Sequence, residues 1–578
     1  MKNINIIKNT KNTKKILFSS VCKPIGPSVG DADSVGYELL HGQVTRAQHI
    51  YSPRVVHKQF SLDYISQNID TPSVVLHYPS KKRFIKELKK GNGKGKGNGN
   101  GDYDVVGIAF VLSTHHHAIE MCKLVREHSP NSKIILGGYG TVMTDEELLP
   151  HCDAICRGEG VKFMREYLGE TILPIEKYHH PDIKSTLRVF SIPVSNTAMI
   201  FAGLGCPNGC DFCCTSHFFK KEHIPLLPTG ESIFETMYNH KLQDKDIEHT
   251  IIDEDFLLNK ARSSGFLKKC REKQVNFSTF CFASVKAISQ YTIEEILEMG
   301  IDGLWVGYEG KKSGYSKHEG RNIDELIQEL QQHGITVLTS MILGIPYQSE
   351  EVVRDEFNSL MKNKPTLTQY LIYGPTPGTP LYEKVISENK LRDEYKNDRI
   401  NFYKHCTGFR SMVDHPSMQA KQIEKLQKEF YRKDFEMLGP SILRVVEVKL
   451  NGFKKFQDHC NPLLKQKAME FRKKLIRCLP LLLVSIFGPK ISLKNRLYYV
   501  KLIFRIFHIA NSYQKLFILL APIVAIAAFA TWIKVILGLF EHPFTRKYKY
   551  NGRLQGMLQD ENDNSLTIPL SQSHPMLP

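Results

Sequence analysis

Acidic charge, tryptophan and an apolar leader are all scarce in this sequence. The opening residues, MKNINIIKNTKNTKK, are polar and basic with no apolar stretch behind them, which argues against a secretory signal. The 13 cysteines are odd in number and unevenly spread; without a leader, the expected surroundings are reducing and cytoplasm-facing, and disulfides fall behind the other roles for them. Lys and Arg total 77 against 60 Asp and Glu, a formal charge of +17. Much of that excess lies between Lys449 and Lys549 among apolar segments, a pattern that points to an anionic membrane surface before a nucleic-acid backbone. The chain also lacks the two separated ligand pairs of a zinc knuckle.

What is present is ordinary globular material: 42% apolar and 24% charged residues over 578 positions, enough for two to four domains. Short apolar runs alternate with helix-like segments near the start: KKILFSSV (14–21), SVVLHYP (73–79), DYDVVGIAFV (102–111), SKIILGG (132–138) and DAICRGEG (153–160). They predict βα units on a parallel, doubly wound, Rossmann-like sheet over 1–175, interrupted by a flexible Gly-rich insert at 91–101. Ligands of such sheets sit at the carboxyl ends of the strands. The stretches there hold Ser113, then Gly137 and Gly138, then Gly158, Glu159 and Gly160, where glycines would let a large planar or anionic ligand approach the backbone, or would only make tight turns. His115–His117 read as a solvated helix start.

A second alternating series begins near Thr197 and supplies six strand–helix repeats up to about Tyr382, which suits a partial or full β/α barrel (190–400) with its site at the carboxyl ends of the strands. Immediately after the first of these strands stands GLGCPNGCDFCCTSHFF, with Cys206, Cys210 and Cys213 in a C-x3-C-x2-C loop followed by Cys214. Three thiolates without a fixed fourth partner match a four-iron cluster with one iron left open. A zinc site completed by Cys214 or His217, a disulfide and a buried thiol cluster are the alternatives.

CPNGCDFC resembles the cluster loop of the radical S-adenosylmethionine (SAM) superfamily, and IIDEDFL (251–257), GLWVGYEG (303–310), SMILGIP (340–346) and YGPTPGTPLY (373–382) resemble, in order, later barrel strands of its cobalamin-associated branch. The stretch from Ile134 to Glu170 is similar to the B12-binding domain that precedes those barrels. The resemblance, over about residues 14–385, implies a [4Fe-4S] cluster on Cys206, Cys210 and Cys213, with SAM on the open iron cleaved reductively to a 5′-deoxyadenosyl radical. It also implies Phe212 against the adenine, Glu309 near the SAM amino group, cobalamin at the N-terminal domain and an external electron donor. No D-x-H-x-x-G stretch occurs, so the histidine that replaces the lower cobalt ligand in some B12 proteins is absent. Glu309 reads equally as half of a buried ion pair. Asp253, Glu254 and Asp255 form an acidic group at a strand end, suited to ribose or substrate hydroxyls or, for Asp255, to helix capping. Lys317 and Arg321 read as solvated, with holding an anionic group as the alternative.

After about Val385 the pattern turns helical and basic (401–515). ISLKNRLYYVKLIFRIFHI (491–509) places Leu493, Leu497, Val500, Ile503 and Phe507 near one face of an interfacial helix. LFILLAPIVAIAAFATWI (516–533) gives 18 residues without charge, about 27 Å as a helix; a membrane anchor over 516–540 is expected as a span, a hairpin or an in-plane segment, and 541–578 as a polar tail. The sequence thus predicts a membrane-associated enzyme, its catalytic domains facing the cytoplasm. The expected reaction is methylation of an unactivated carbon in a hydrophobic or lipid-like substrate, with radical carbon–carbon bond formation or rearrangement next. A membrane-tethered cobalamin and redox sensor and a zinc protein binding nucleic acid are readings from other classes; no nucleic-acid partner is expected.

Overall fold

The computed structural model describes residues 15–22, 59–90, 103–189, 192–309, 313–487, 491–537, 545–553 and 557–559. The Gly-rich insert 91–101 lies outside them. The described residues divide into two compact units: one holds those up to Pro181 and those from Thr545 onward, the other those from Asp182 to Leu537.

The first unit is built on β1 (Ile16–Ser20), β2 (Ser73–His77), β3 (Val105–Ala109), β4 (Lys133–Gly137) and β5 (Ala154–Cys156), all parallel, in the order 2-1-3-4-5. That is a doubly wound sheet whose strand order reverses between β1 and β3. Helices α1 (Phe60–Asn68), α2 (Lys81–Lys90) and α3 (His115–His128) make the first three crossovers, and α4 (Gly160–Leu168) follows β5. The strands are almost wholly buried, as parallel strands covered on both faces are.

One edge differs from expectation. The polar tail was expected to begin at 541, yet β13 (Arg546–Tyr550) pairs antiparallel with β2, and β14 (Met557–Gln559) pairs with β13. The physical reason lies in alternation: RKYKY buries Tyr548 and Tyr550 in the sheet core, the Tyr550 hydroxyl donates to Asp63 at 2.8 Å, and Lys547 reaches the buried Glu87 at 2.5 Å. Five residues of alternating aromatic and basic character are too short to stand out as a strand against a polar background.

In the second unit β6 (Lys184–Val189) pairs antiparallel with β7 (Ile192–Phe201), and β8 (Glu248–Ile252), β9 (Thr279–Phe282), β10 (Ile301–Gly307), β11 (Thr336–Leu343) and β12 (Leu367–Ile372) continue in parallel and in chain order. The six parallel strands are those read from the sequence. The sheet's strand order is linear from β6 to β12, which makes it the partial form of the barrel. Helices α5 (Gly230–Gln243), α6 (Lys260–Lys273), α7 (Ile293–Glu298), α8 (Ile323–Gln332) and α9 (Glu350–Lys362) join them. Their starts are capped by side chains, for example Asn322 accepting from the N–H groups of Asp324 and Glu325, and α8 buries Leu326, Ile327 and Leu330 at helical spacing.

The basic C-terminal helices are partly a floor for this barrel. α10 (Ala420–Leu438), α11 (Ser441–Phe456) and α12 (Pro462–Arg477) join the barrel core through Phe430, Leu450, Phe471 and others. From α11, Lys449 donates to the carbonyls of Asp302 (2.7 Å) and Gly334 (3.1 Å). From α12, Lys467 donates to the carbonyls of Phe277 and Gly300, and Lys474 to Ser278 at 2.6 Å. All these acceptors lie at the amino ends of β9, β10 and β11, so the end of the barrel opposite the expected site is sealed by lysines. Asp302 carries the compensating charge, with Lys449, Lys467 and Lys474 at 3.4, 3.8 and 3.3 Å. Part of the basic excess read as membrane-directed is therefore internal. α13 (Leu479–Ile486), α14 (Leu493–Ile509) and α15 (Ala521–Ile536) follow.

Candidate active site

The cysteine loop leaves β7 at its carboxyl end, where the strand's apolar residues stop and Gly203 and Gly205 turn the chain. Cys206 and Cys210 are buried, Cys213 is half-buried, and all three are free thiols. The loop is held by its own polar atoms. The Ser216 hydroxyl accepts from the Gly209 N–H (3.1 Å) and donates to the Cys206 carbonyl (2.6 Å). Gly209 has φ +68°, a left-handed turn that glycine adopts without steric cost. Three tethers fix the loop to neighbouring strand ends: Asn208 donates to Asp255 (2.9 Å), the Tyr315 hydroxyl donates to Asp211 (2.7 Å), and the Asp211 carbonyl accepts from the Leu381 N–H (3.1 Å).

Burial pushes the Cys206 thiol up to about 12 and Cys210 up to about 11, and raises Cys213; each of Cys206 and Cys210 is raised further by its fellow cysteines, which places the three thiols as electrostatic neighbours. Such desolvated thiols hold their protons at neutral pH until a metal centre displaces them. Three thiols on one loop are a donor set of the kind that iron–sulfur clusters take. Among the described residues no three His, Cys, Asp or Glu side chains converge as ligands of one metal ion, whereas zinc draws its sulfurs to about 2.3 Å from a shared centre. Of the two candidate fourth ligands, His217 Nε2 lies 3.1 Å from the Cys210 carbonyl oxygen, and burial pushes the Cys214 thiol up to about 12.

Glu309 follows β10, nearly fully buried, with φ +42°, a strained backbone for a side chain with a Cβ. It forms an ion pair with Lys317 and lies 3.4 Å from His318. Burial opposes ionisation, but Lys317 and His318 outweigh it and hold the carboxyl below its usual range. Lys317 is the residue that sequence reasoning misjudged. Its side chain is 14% exposed, its ammonium lies 5.4 Å from the Phe212 ring centre and 5.9 Å from that of Tyr315, and it lowers the thiol pKa of Cys210 and Cys213. The run KKSGYSKHEGR looks like a solvated loop because composition does not reveal which lysine turns inward. Arg321, by contrast, pairs with Glu329 at a half-exposed surface. Phe212 meets Tyr315 edge-on with ring centres 5.3 Å apart, so Phe212, Tyr315, Lys317 and Glu309 stand together beside the cysteine loop.

The acidic trio behaves as scaffolding. Asp253 is buried against Arg262 (2.6 Å) and His223 (3.0 Å); burial would raise its pKa, but those partners lower it. Asp255 accepts from the Ser284 N–H (2.9 Å) and from Asn208. It thus links the ends of β8 and β9 to the cysteine loop in place of capping a helix, and burial raises its pKa.

In the first unit the sequence-predicted residues do line the carboxyl ends of β3, β4 and β5, but they divide in use. A Cβ on Gly138 would stand 2.6 Å from the Phe110 carbonyl, and one on Gly160 would stand 2.6 Å from Ile65; both glycines serve packing. Gly137 faces Cys156 at ordinary contact distance, and a Cβ on Gly158 would meet nothing within 4 Å, so Gly158 offers open space to a ligand. The Glu159 carboxylate is occupied by its own helix, accepting from the N–H groups of Val161 and Lys162 at 2.7 Å and from the Tyr178 hydroxyl at 3.0 Å. Ser113 is buried in the turn after β3, and His115, expected in solvent, is buried with Nδ1 3.1 Å from the Leu112 carbonyl.

No family model matches the chain. An uncharacterised methyltransferase of Pyrococcus horikoshii is 23% identical over 384 residues, covering 59% of this chain and 80% of that protein. The bacteriochlorophyllide d C-12(1)-methyltransferase of Chlorobaculum tepidum is 22% identical over 363 residues, covering 57% and 75%. Both of these relatives are methyltransferases. Among solved structures, the radical SAM methyltransferase TsrM of Kitasatospora setae, with tryptophan and a SAM analogue bound, aligns at TM-score 0.44 and 14% identity over 65% of this chain and 76% of its own. Methylornithine synthase aligns at TM-score 0.26 and 15% identity over 42% and 68%. At those TM-scores and identities the overlays carry no argument.

Proposed function

We propose that this chain is a radical SAM enzyme that transfers a methyl group to an unactivated carbon of a hydrophobic, lipid-like substrate, using a [4Fe-4S] cluster, SAM and cobalamin. The observation that carries the reading is the trio of free thiols, two buried and one half-buried, on the loop that leaves β7 at its carboxyl end. It is supported by methyltransferase relatives that align across most of their own length.

When bound, the cluster and SAM would supply a strongly oxidising carbon radical, and cobalamin a transferable methyl group. The chain's own part is to hold and exclude. Cys206, Cys210 and Cys213 would hold three irons, while Glu309 and Lys317 present opposite charges side by side, matched to the ammonium and carboxylate of an amino-acid moiety. Phe212 and Tyr315 give a flat apolar wall, and the lysine-sealed floor keeps water from entering at the other end. The apolar C-terminal helices of the same chain support a lipid-like substrate.

Anaerobic reconstitution with iron and sulfide, followed by dithionite, SAM and cobalamin, tests the proposal. Release of 5′-deoxyadenosine, together with labelled methyl transferred from SAM into a lipid extract, is expected. A full cluster that releases no 5′-deoxyadenosine would overturn the enzymatic reading in favour of a sensor, and cleavage with rearranged, unmethylated lipid would overturn methyl transfer alone.

A further inference from the structure

Among the described residues one helical stretch, Ser512–Ala530, is long and apolar enough to cross a bilayer, and only 6% of its most apolar window is buried. Length alone would permit a span. Chain connectivity does not. On the entry side α14 is anchored in the barrel core by Tyr499, Leu502, Ile503 and Ile506. On the exit side β13 is hydrogen-bonded to β2 of the first unit. The two units are joined directly through Pro181 and Asp182 with no apolar run between them, so the chain enters and leaves the apolar segment on one side of any membrane.

From Leu537 to Arg546 there are nine peptide steps, which reach about 30–32 Å when fully stretched. The hydrocarbon layer alone is about 30 Å and the two aqueous faces about 40–45 Å apart, and a stretched chain would leave its backbone groups unpaired in hydrocarbon. A single pass followed by a return is therefore closed to this chain. α15 also packs along α13, whose Leu479 and Leu482 belong to the barrel core, which holds the apolar segment against the barrel unit.

The outward face of this helical group is apolar and basic. On α14, Leu493, Leu497 and Phe504 are 72%, 57% and 59% exposed; at 100° per residue they fall on one stripe, opposite the buried Tyr499, Leu502 and Ile506. This differs from the sequence expectation, which put Ile503 in the same stripe as Leu493. Leu519, Ile523 and Ile526 continue the exposed apolar surface on the next segment. From Phe471 to Phe540 there is no Asp or Glu, while Lys494, Lys501 and Lys515 border the stripe. We infer that residues 493–537 form an in-plane anchor that seats this enzyme on one leaflet of an anionic lipid bilayer without crossing it.

The inference goes beyond the catalytic reading and fails separately from it: a chain that anchors this way but never cleaves SAM would fault the chemistry alone. The test uses the full-length reconstituted protein with epitope tags at both ends. It should float with vesicles of phosphatidylcholine containing 30% phosphatidylserine, and at least tenfold less with phosphatidylcholine alone. The triple variant Leu493→Ser, Leu497→Ser, Phe504→Ser should lose flotation while keeping its cluster absorbance, which shows that it has folded. In sealed vesicles prepared from expressing cells, added protease should treat both tags alike, cutting both or sparing both. Opposite fates for the two tags would establish a span, and equal flotation with both vesicle types would remove the anionic partner. Loss of a dimer in the triple variant, without vesicle binding by the parent, would make the face a contact between copies; each of these overturns the inference.

Discussion

Lys449 offers a test of the barrel floor in which the size of the effect follows from the geometry. It is buried, with its ammonium on two backbone carbonyls, 3.4 Å from Asp302 and over the Phe471 ring. Asp302 must serve three lysines, and two of them have a second carboxylate: Glu248 for Lys474 at 2.9 Å and Glu470 for Lys467 at 2.8 Å. Lys449 has none, so burial wins over the pull of Asp302 and lowers its pKa to about 7. Between that value and the usual range near 10.5 the unfolded chain binds one more proton than the folded one. Unfolding free energy therefore rises with pH in this window, by about 1.4 kcal/mol per pH unit from this group. Below about pH 7 both states hold the proton and the slope vanishes. Lys449→Met keeps the length and packs on Phe471 but cannot titrate. The difference in stability between parent and variant, measured by anaerobic urea unfolding through Trp305 fluorescence in a Trp532→Phe background, should grow in favour of the parent by about 1.4 kcal/mol from pH 7.5 to 8.5. A difference that stays flat across that interval would refute the assignment of Lys449 as the proton-releasing member of the floor.

Three further outcomes are expected. Serine at Cys206, Cys210 or Cys213 should abolish iron–sulfur charge-transfer absorbance after reconstitution, whereas Cys214→Ser should retain it; loss in Cys214→Ser would restore the zinc-like four-ligand reading. Lys317→Met removes a buried positive charge beside Cys210 and should lower the cluster's midpoint potential by about 45 mV, the one-electron equivalent of roughly 1 kcal/mol, as read by EPR-monitored redox titration; an unmoved potential would place the ammonium too far from the cluster to matter. Tyr550→Phe deletes a buried hydrogen bond to the Asp63 carboxylate, and should speed amide exchange in β2 by the equivalent of about 1.5–3 kcal/mol, while unchanged protection would mean that β13 does not close that edge.

Strand positions were legible where mostly apolar runs are buried on both faces, as in β11 and β1, and where apolar residues alternate along a short run, as in β8 and β9. The cysteine loop was legible because its spacing is local. Two things were not. Lys317, Lys449, Lys467 and Lys474 look like solvent residues in any composition window, since a long side chain ending on buried acceptors is distinguished only by partners remote in sequence. β13 was hidden because an edge strand added antiparallel to a parallel sheet draws its pattern from β2, more than 450 positions earlier. The glycines of the first unit were ambiguous for a related reason: a missing Cβ serves a close-packed turn at Gly138 and open space at Gly158, and only the neighbours decide.

The tethers of the cysteine loop explain why its three thiols stand where a barrel of parallel strands can use them. Asp255, at the end of β8, binds the loop through Asn208 and the turn after β9 through Ser284. Tyr315, beyond β10, binds Asp211 and leans on Phe212, and Leu381, beyond β12, binds the Asp211 carbonyl. Strand ends on both flanks of the open sheet thus converge on one eight-residue loop, and the burial of Asp255 makes its tether costly to leave unmade. Such a loop is fixed by the sheet before any metal arrives, so the direction in which an open iron would point is set by the strands and not by the ligand it awaits. Asn208→Ala and Tyr315→Phe should therefore leave all three thiols in place yet weaken the coupling between cluster reduction and SAM cleavage. Product formed per electron delivered is the measurement that shows it, and variants that keep the parental ratio would mean that the three cysteines alone orient the site.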